Sequence, residues 1–200
     1  MYGAGGCGRG LLPLLRHNAE GAGVRLIFID DATTGPINDH DVVTWKEFND
    51  ISDDKRVCLA VASPKGRERL ARKVEDAGIE LLAVTAPDVV RMDDVGIGRG
   101  ACLSPGVILT SNIRIGIAFH ANLGSFIEHD AFIGDCVTLA PGVRVNGNVR
   151  IGDRAYVGAG ALIRQGISVG DDAVVGMGAV VLEDVAPGRT VVGNPAREIG

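Results

Sequence analysis

Apolar positions in the second half of the chain recur every six residues. Stepping by six from Ile97, the chain reads Ile97, Leu103, Leu109, Ile115, Ala121, Ile127, Ile133, Leu139, Val145, Ile151, Val157, Ile163, Val169, Val175 and Val181. All but Ala121 are Ile, Leu or Val. The fifth place of each hexad, from Ala101 to Val185, is mostly small or β-branched. Glycine often follows the aliphatic position, as at Gly98, Gly116, Gly134 and Gly152. A fixed hexad without insertion predicts a parallel β-helix, three hexads to a triangular coil. The aliphatic residue points inward, and the small fifth residue and the glycine let the chain turn its corners. At the usual strand spacing the prism is on the order of 23 Å tall. A solenoid needs capped ends. The tail VVGNPAREIG, from Val191, reads as the cap, since Pro195 cannot continue a ladder.

The first half alternates differently. MYGAGGCGRGLLPLLR places Gly3, Gly5 and Gly8 ahead of an apolar, helix-like segment. VRLIFIDD follows and ends in Asp30-Asp31. A second apolar run, VCLAVAS (57–63), precedes the amphipathic KGRERLARKVEDAG, and then comes IELLAV (79–84). Strands alternating with helices predict βαβ units with a parallel sheet. A glycine turn at a helix N-terminus is able to cradle a phosphate, and a mononucleotide portion of a ligand fits a unit this small better than a dinucleotide. The glycines could also serve only as a tight turn, and Asp30-Asp31 could merely end a strand.

Composition narrows the classes. Hydrophobic residues make up 46% of the 200 and aromatics only 4%, so the core is built from aliphatic side chains. A net charge of −5 offers no general attraction to nucleic acid or an anionic membrane. Cys7, Cys58, Cys102 and Cys136 are far apart and form no CxxC pair, which argues against a disulfide framework or zinc knuckle. They read as buried apolar residues in a reducing compartment. No apolar run reaches the roughly 18 residues of a membrane span, and no signal peptide is read, so a cytoplasmic location is expected.

The chemistry concentrates in FIEHDAFIGD (126–135), where Glu128, His129 and Asp130 interrupt the aliphatic tract. Ala121 and Phe119 also depart from the hexad rule within ten residues of His129, and such departures are expected where function overrides folding. Histidine titrates near neutrality and suits a general base. A carboxylate on its other ring nitrogen would fix the tautomer; Asp130 is the first candidate and Glu128 the second. His120 could line a ligand groove or be structural. Arg164, Arg189 and Arg197 could meet phosphates.

On these motifs the chain resembles the bacterial sugar acyltransferases that join a Rossmann-like domain to a left-handed β-helix. Their members include N-acetyltransferases of nucleotide-linked 4-amino sugars and sialic acid O-acetyltransferases. GAGGCG, FIDD, the hexads, IEHD followed by IGD, and GNPAR fall in the family's order over nearly the full length. The resemblance implies an α/β Rossmann-like nucleotide-sugar domain over 1–88 and a left-handed parallel β-helix over 89–200. It implies a homotrimer, with acetyl-CoA as acyl donor in the groove between prisms and no metal. His129 matches the catalytic histidine and Asp130 the acidic residue beside it, where close relatives often carry Glu. The sugar site matches Gly5, Gly6, Cys7, Asp30 and Asp31, with Ala62 where the family has a glycine. Coenzyme contacts fall on Thr138, a histidine in some relatives, and on Ala159 and Met177. Two other readings stand beside this one. Carbonic anhydrases share the β-helix but need three histidine ligands, and only His120 and His129 lie in the repeats. A non-catalytic scaffold would owe nothing to His129.

Overall fold

The structure is a computed structural model that describes residues 1–199. From Val84 onward the chain winds as a three-sided prism. Strands of two or three residues pair in parallel with the strands one coil away. His120 pairs with Cys102 and Thr138, Phe126 with Ile108 and Arg144, and Arg114 with Gly96 and Phe132. Each partner lies eighteen residues distant, three hexads. These parallel sheets are consistent with a left-handed β-helix. The first face holds Cys102, His120, Thr138 and Tyr156 on its outer side, the second Ile108, Phe126, Arg144 and Leu162, and the third Arg114, Phe132 and Arg150. The ladder starts two strands before Ile97, at Val84–Thr85 and Val90–Arg91.

Both periodic series line the interior, from Leu103 to Val181 and from Ala101 to Ala179, as one apolar core that also takes in Val185; at the fifth place Ser125 is buried but polar. Phe119 and Ala121 belong to that core on either side of His120, on the first face. A large residue beside a small one conserves core volume. These two departures are therefore packing features and do not adjoin His129, which follows the second-face strand Phe126–Ile127.

The expected corner role of the glycines after the aliphatic positions is corrected. Gly98, Gly116, Gly134 and Gly152 do not have positive φ; a Cβ there would strike the next coil, as at Gly116, where it would meet Asp135. Space between coils demands them. The left-handed corner residues form three other columns. One is Gly106, Gly124, Gly142, Gly160 and Gly178; another is Asp94, Asn112, Asp130, Asn148 and Gly166; the third includes Ala118, Cys136 and Arg154. The unbroken hexad also ends sooner than the sequence suggests. Val185 pairs with Val169, and Val191 with Val175, each sixteen residues apart, so the last coil is two residues short. Val185 thus stands at an inward aliphatic position, not at a fifth place. Beyond it, Thr190–Val192 and Arg197–Glu198 form an antiparallel pair that closes the first face, as a cap should. Gly200 lies outside the described residues.

The N-terminal unit contains helices α1 (Gly6–Asn18), α2 (Trp45–Asp50) and α3 (Pro64–Asp76). Its parallel pairings run from Val42–Val43 to Phe28–Ile29, to Tyr2, to Leu59 and Val57, and to Leu81. Most are two-residue strands or single bridges. Tyr2 sits at the centre, bridged to both Ile29 and Leu59. The unit packs on the outer side of the first face, which buries Cys102, His120 and Thr138. At that junction the Arg67 guanidinium is fully buried. It donates to Ala118 O (2.7 Å) and Cys136 O (2.7 Å) on stacked coils, and to Val61 O (2.9 Å) on its own unit. Desolvation pulls its pKa down to about 10.

Candidate active site

The corner between the second and third faces requires one residue per coil with positive φ. Asp and Asn tolerate that conformation better than most side chains, and Asp130 adopts it at φ 60°. The turn throws its carboxylate back toward its neighbour. His129 Nδ1 lies 2.8 Å from Asp130 Oδ2. One coil away, Asn112 Nδ2 donates to Asp130 Oδ1 at 3.0 Å. The bond from His129, then that from Asn112, hold the Asp130 carboxyl below the usual carboxylate value. An ionised carboxylate only accepts, so Nδ1 is the donor of this pair, and in the neutral ring Nε2 keeps the lone pair. Both side chains are about half exposed, at 52%.

Glu128 has another partner. Its Oε2 accepts the Gly147 N–H at 3.0 Å, on the next coil. The His129 ring lies against Gly147, where an added Cβ would fall 2.5 Å from Cε1 and 2.6 Å from Nε2. Asn112 and Gly147 were not singled out from the sequence, although counting eighteen residues back from Asp130 and forward from His129 reaches both.

A cavity of about 470 Å³ lies between α1 and the first face. Gly6, Cys7, Ala62, Thr138 and His120 line it, so four of the expected ligand residues come together there. Gly5 is the N-cap of α1 and has no side-chain capping bond. Added Cβ atoms at Gly5 and Gly6 would meet nothing, whereas one at Gly8 would strike Gly3 O. The tight turn therefore depends on Gly3 and Gly8, and Gly5 and Gly6 are open. Cys7 is half-buried, unlike the other three cysteines and unlike the expectation for it. Asp30 accepts the N–H groups of Ala4 (3.0 Å), Ala32 (3.0 Å) and Thr33 (3.1 Å). Burial works to raise its pKa, but these bonds outweigh it and hold the carboxyl low. Asp31 accepts the Trp45 N–H at 2.8 Å. Thr138 is buried and donates to Ala62 O at 3.0 Å. Ala159 and Met177 are exposed, one coil apart on the corner between the first and second faces, with Met177 at 82%.

His120 is buried with Nε2 2.8 Å from Leu59 O. Burial, then the Arg67 charge, hold its pKa well below 6.5. Arg164 and Arg197 donate to the backbone carbonyls of Leu182 and Ala196, and Arg189 pairs with Glu198 at 3.1 Å. Among the described residues no group of three or more His, Cys, Asp or Glu is arranged to hold a metal ion, and no helix is long and apolar enough to cross a membrane.

Residues 130–165 match the family model of the bacterial transferase hexapeptide (six repeats), and residues 148–183 match that of the hexapeptide repeat of succinyl-transferase. No curated protein sequence matches. Among solved structures the chain is similar to WeeI from Acinetobacter baumannii AYE, with 43% identity and a TM-score of 0.95 over 99% of this chain and 97% of that one. It is similar to the acetyltransferase domain of PglB from Neisseria gonorrhoeae FA1090 in complex with acetyl coenzyme A, with 29% identity and a TM-score of 0.89 over 99% and 97%. It is also similar to perosamine N-acetyltransferase from Caulobacter crescentus, a histidine-to-asparagine mutant in complex with CoA and GDP-perosamine. There the identity is 27% and the TM-score 0.93, over 100% and 95%.

Proposed function

The chain belongs to the hexapeptide-repeat transferase family, and from that premise we propose that it is an acetyl-CoA-dependent N-acetyltransferase acting on a nucleotide-linked 4-amino-4,6-dideoxy sugar. The observation that carries this reading is the His129–Asp130 pair, which leaves Nε2 free on an exposed corner. The near full-length likeness to structures that bind acetyl-CoA, or CoA with GDP-perosamine, supports the class of donor and acceptor.

In this mechanism the sugar amine attacks the thioester carbonyl of acetyl-CoA. A C–N bond forms and the C–S bond breaks. His129 Nε2 takes the proton lost by the amine and returns it to the departing coenzyme A sulfur. Asp130 holds the ring in the required tautomer and stabilises the imidazolium. A positioned base of this kind contributes about 10²–10⁴ in rate. No protein nucleophile is needed.

The N-terminal unit, read as Rossmann-like, takes the nucleotide sugar. The open Gly5 and Gly6 at the N-terminus of α1 support that placement, because free N–H groups and the helix dipole favour a phosphate. Asp30 acts here by tying the loop after its strand to Ala4, and Asp31 remains the better direct contact. Thr138, Ala159 and Met177 line the donor's path along the first face and its corner.

His129 stands on the corner opposite the first face, whereas the cavity lies outside that face. One chain therefore does not bring Nε2 to its own cavity. A neighbouring copy completes the site in this reading, which favours the homotrimer.

The test is coenzyme A release from acetyl-CoA against a panel of nucleotide-linked 4-amino sugars, with free and nucleotide-linked sialic acids beside them. Turnover on an amino sugar is expected. Turnover on sialic acids alone would move the reaction to a hydroxyl acceptor and overturn the N-acetyltransferase reading.

A further inference from the structure

Gly147 is a glycine without a backbone reason to be one. Its φ is not positive, unlike the corner glycines. The nearest atoms to a Cβ added there are Cε1, Nε2 and Nδ1 of His129. Coil stacking explains the juxtaposition. His129 and Gly147 occupy equivalent corner positions eighteen residues apart, and the same bond repeats up the column. Ser111 O accepts Asp130 N, His129 O accepts Asn148 N, and Gly147 O accepts Gly166 N. A side chain at 147 would stand where the imidazole lies.

Glu128 completes the arrangement. It immediately precedes His129, and its Oε2 accepts the Gly147 N–H at 3.0 Å. The ring is thus bounded by Asp130 at Nδ1 and by Gly147 beside Cε1 and Nε2, and the Gly147 amide is held by the residue before the ring. From this geometry we propose that Glu128 and Gly147 are positioning residues for His129. Gly147 leaves the space that the ring occupies, and Glu128 fixes the backbone that bounds that space. The proposal rests on the reading of His129 as the base.

The test combines a spectrum with kinetics. Nitrogen NMR of the histidine-labelled protein reports the ring tautomer without substrate, and kcat and KM for acetyl-CoA are measured on the same samples. Gly147→Ala should push the ring off Asp130, shift the tautomer signal from Nδ1–H toward a mixture, and lower kcat about 10²-fold with little change in KM, as an ångström-scale misplacement does. Glu128→Ala should move both in the same direction, by about tenfold in kcat. Glu128→Gln keeps an acceptor oxygen for the Gly147 N–H and should return both to wild type. An unchanged tautomer signal and kcat in Gly147→Ala and Glu128→Ala, with only a lowered Tm, would overturn the proposal. Failure of Glu128→Gln to rescue would overturn the part assigned to Glu128, since charge would then matter more than position. The spectrum needs no substrate, so a wrong assignment of His129 as base would show separately, as undiminished turnover in His129→Ala.

Discussion

At the scale of single residues, Asp130 meets two demands with one carboxylate. It must take a left-handed corner conformation that Asp94, Asn112 and Asn148 also take in the same column, and it must accept a proton donor from His129. The two demands separate on substitution. Asp130→Asn keeps the turn but lets an amide face Nδ1, which no longer enforces the tautomer. Its kcat should fall by 10²-fold or more, by analogy with such changes in catalytic triads, while its Tm stays near wild type; kinetics and thermal melts on one preparation check this. His120 obeys a different logic. Its pKa is depressed in the folded chain, so on acidification the unfolded chain takes up a proton near pH 6.5 that the folded chain refuses. Stability attributable to it is therefore complete above that pH and falls below it, by ~1.4 kcal/mol per pH unit. Urea unfolding at a series of pH values should show this slope in wild type and lose it in His120→Gln, which keeps a donor for Leu59 O. His129 was legible in the sequence because an ionisable triplet stands out from an aliphatic tract. Asn112 and Gly147 were not, because nothing in the local sequence marks them; only the coil period carries them to the site.

At the scale of elements, the two-residue strand alternates one inward and one outward side chain. Ile151 is fully buried and Arg150, its neighbour, is exposed. Ile151→Ala should cost about 2–5 kcal/mol for the lost burial and the cavity left behind. Arg150→Ala should stay within about 0.5 kcal/mol of wild type. Denaturant unfolding of both distinguishes a continuous core from a loosely packed one. The inward series was readable far ahead of the structure because burial in a coil is imposed at a fixed period, and no local propensity competes with it. Two features escaped that logic. The glycines after the aliphatic positions looked like corner residues, but their need comes from the next coil, a contact eighteen residues away. The shortened last coil also left an apolar residue, Val185, where an unbroken period would put one. Period alone therefore could not reveal the deletion.

At the scale of the whole molecule, the buried Arg67 ties α3 to two stacked coils through carbonyl oxygens. It came as no expectation from the sequence, since nothing in a basic amphipathic helix tells which arginine turns inward. Arg67→Met would leave the Ala118 and Cys136 carbonyls buried and unpaired, each at about 1–3 kcal/mol, while Val137 O keeps the His120 N–H. Hydrogen exchange near Val61, Ala118 and Cys136 should accelerate ahead of the prism core. The proposed sharing of the site between copies has its own consequence. Gly6 has open space at its Cβ, so Gly6→Trp should fold and block the cavity. Mixed assemblies of Gly6→Trp and His129→Ala chains should regain turnover that neither variant has alone. If the prism presents His129 as a general base, the rate of coenzyme A release should differ between wild type and His129→Ala, compared with saturating acetyl-CoA and the best amino-sugar acceptor. In the variant kcat should fall by about 10²–10⁴ with the fold intact. Equal rates would rule out His129 as the base.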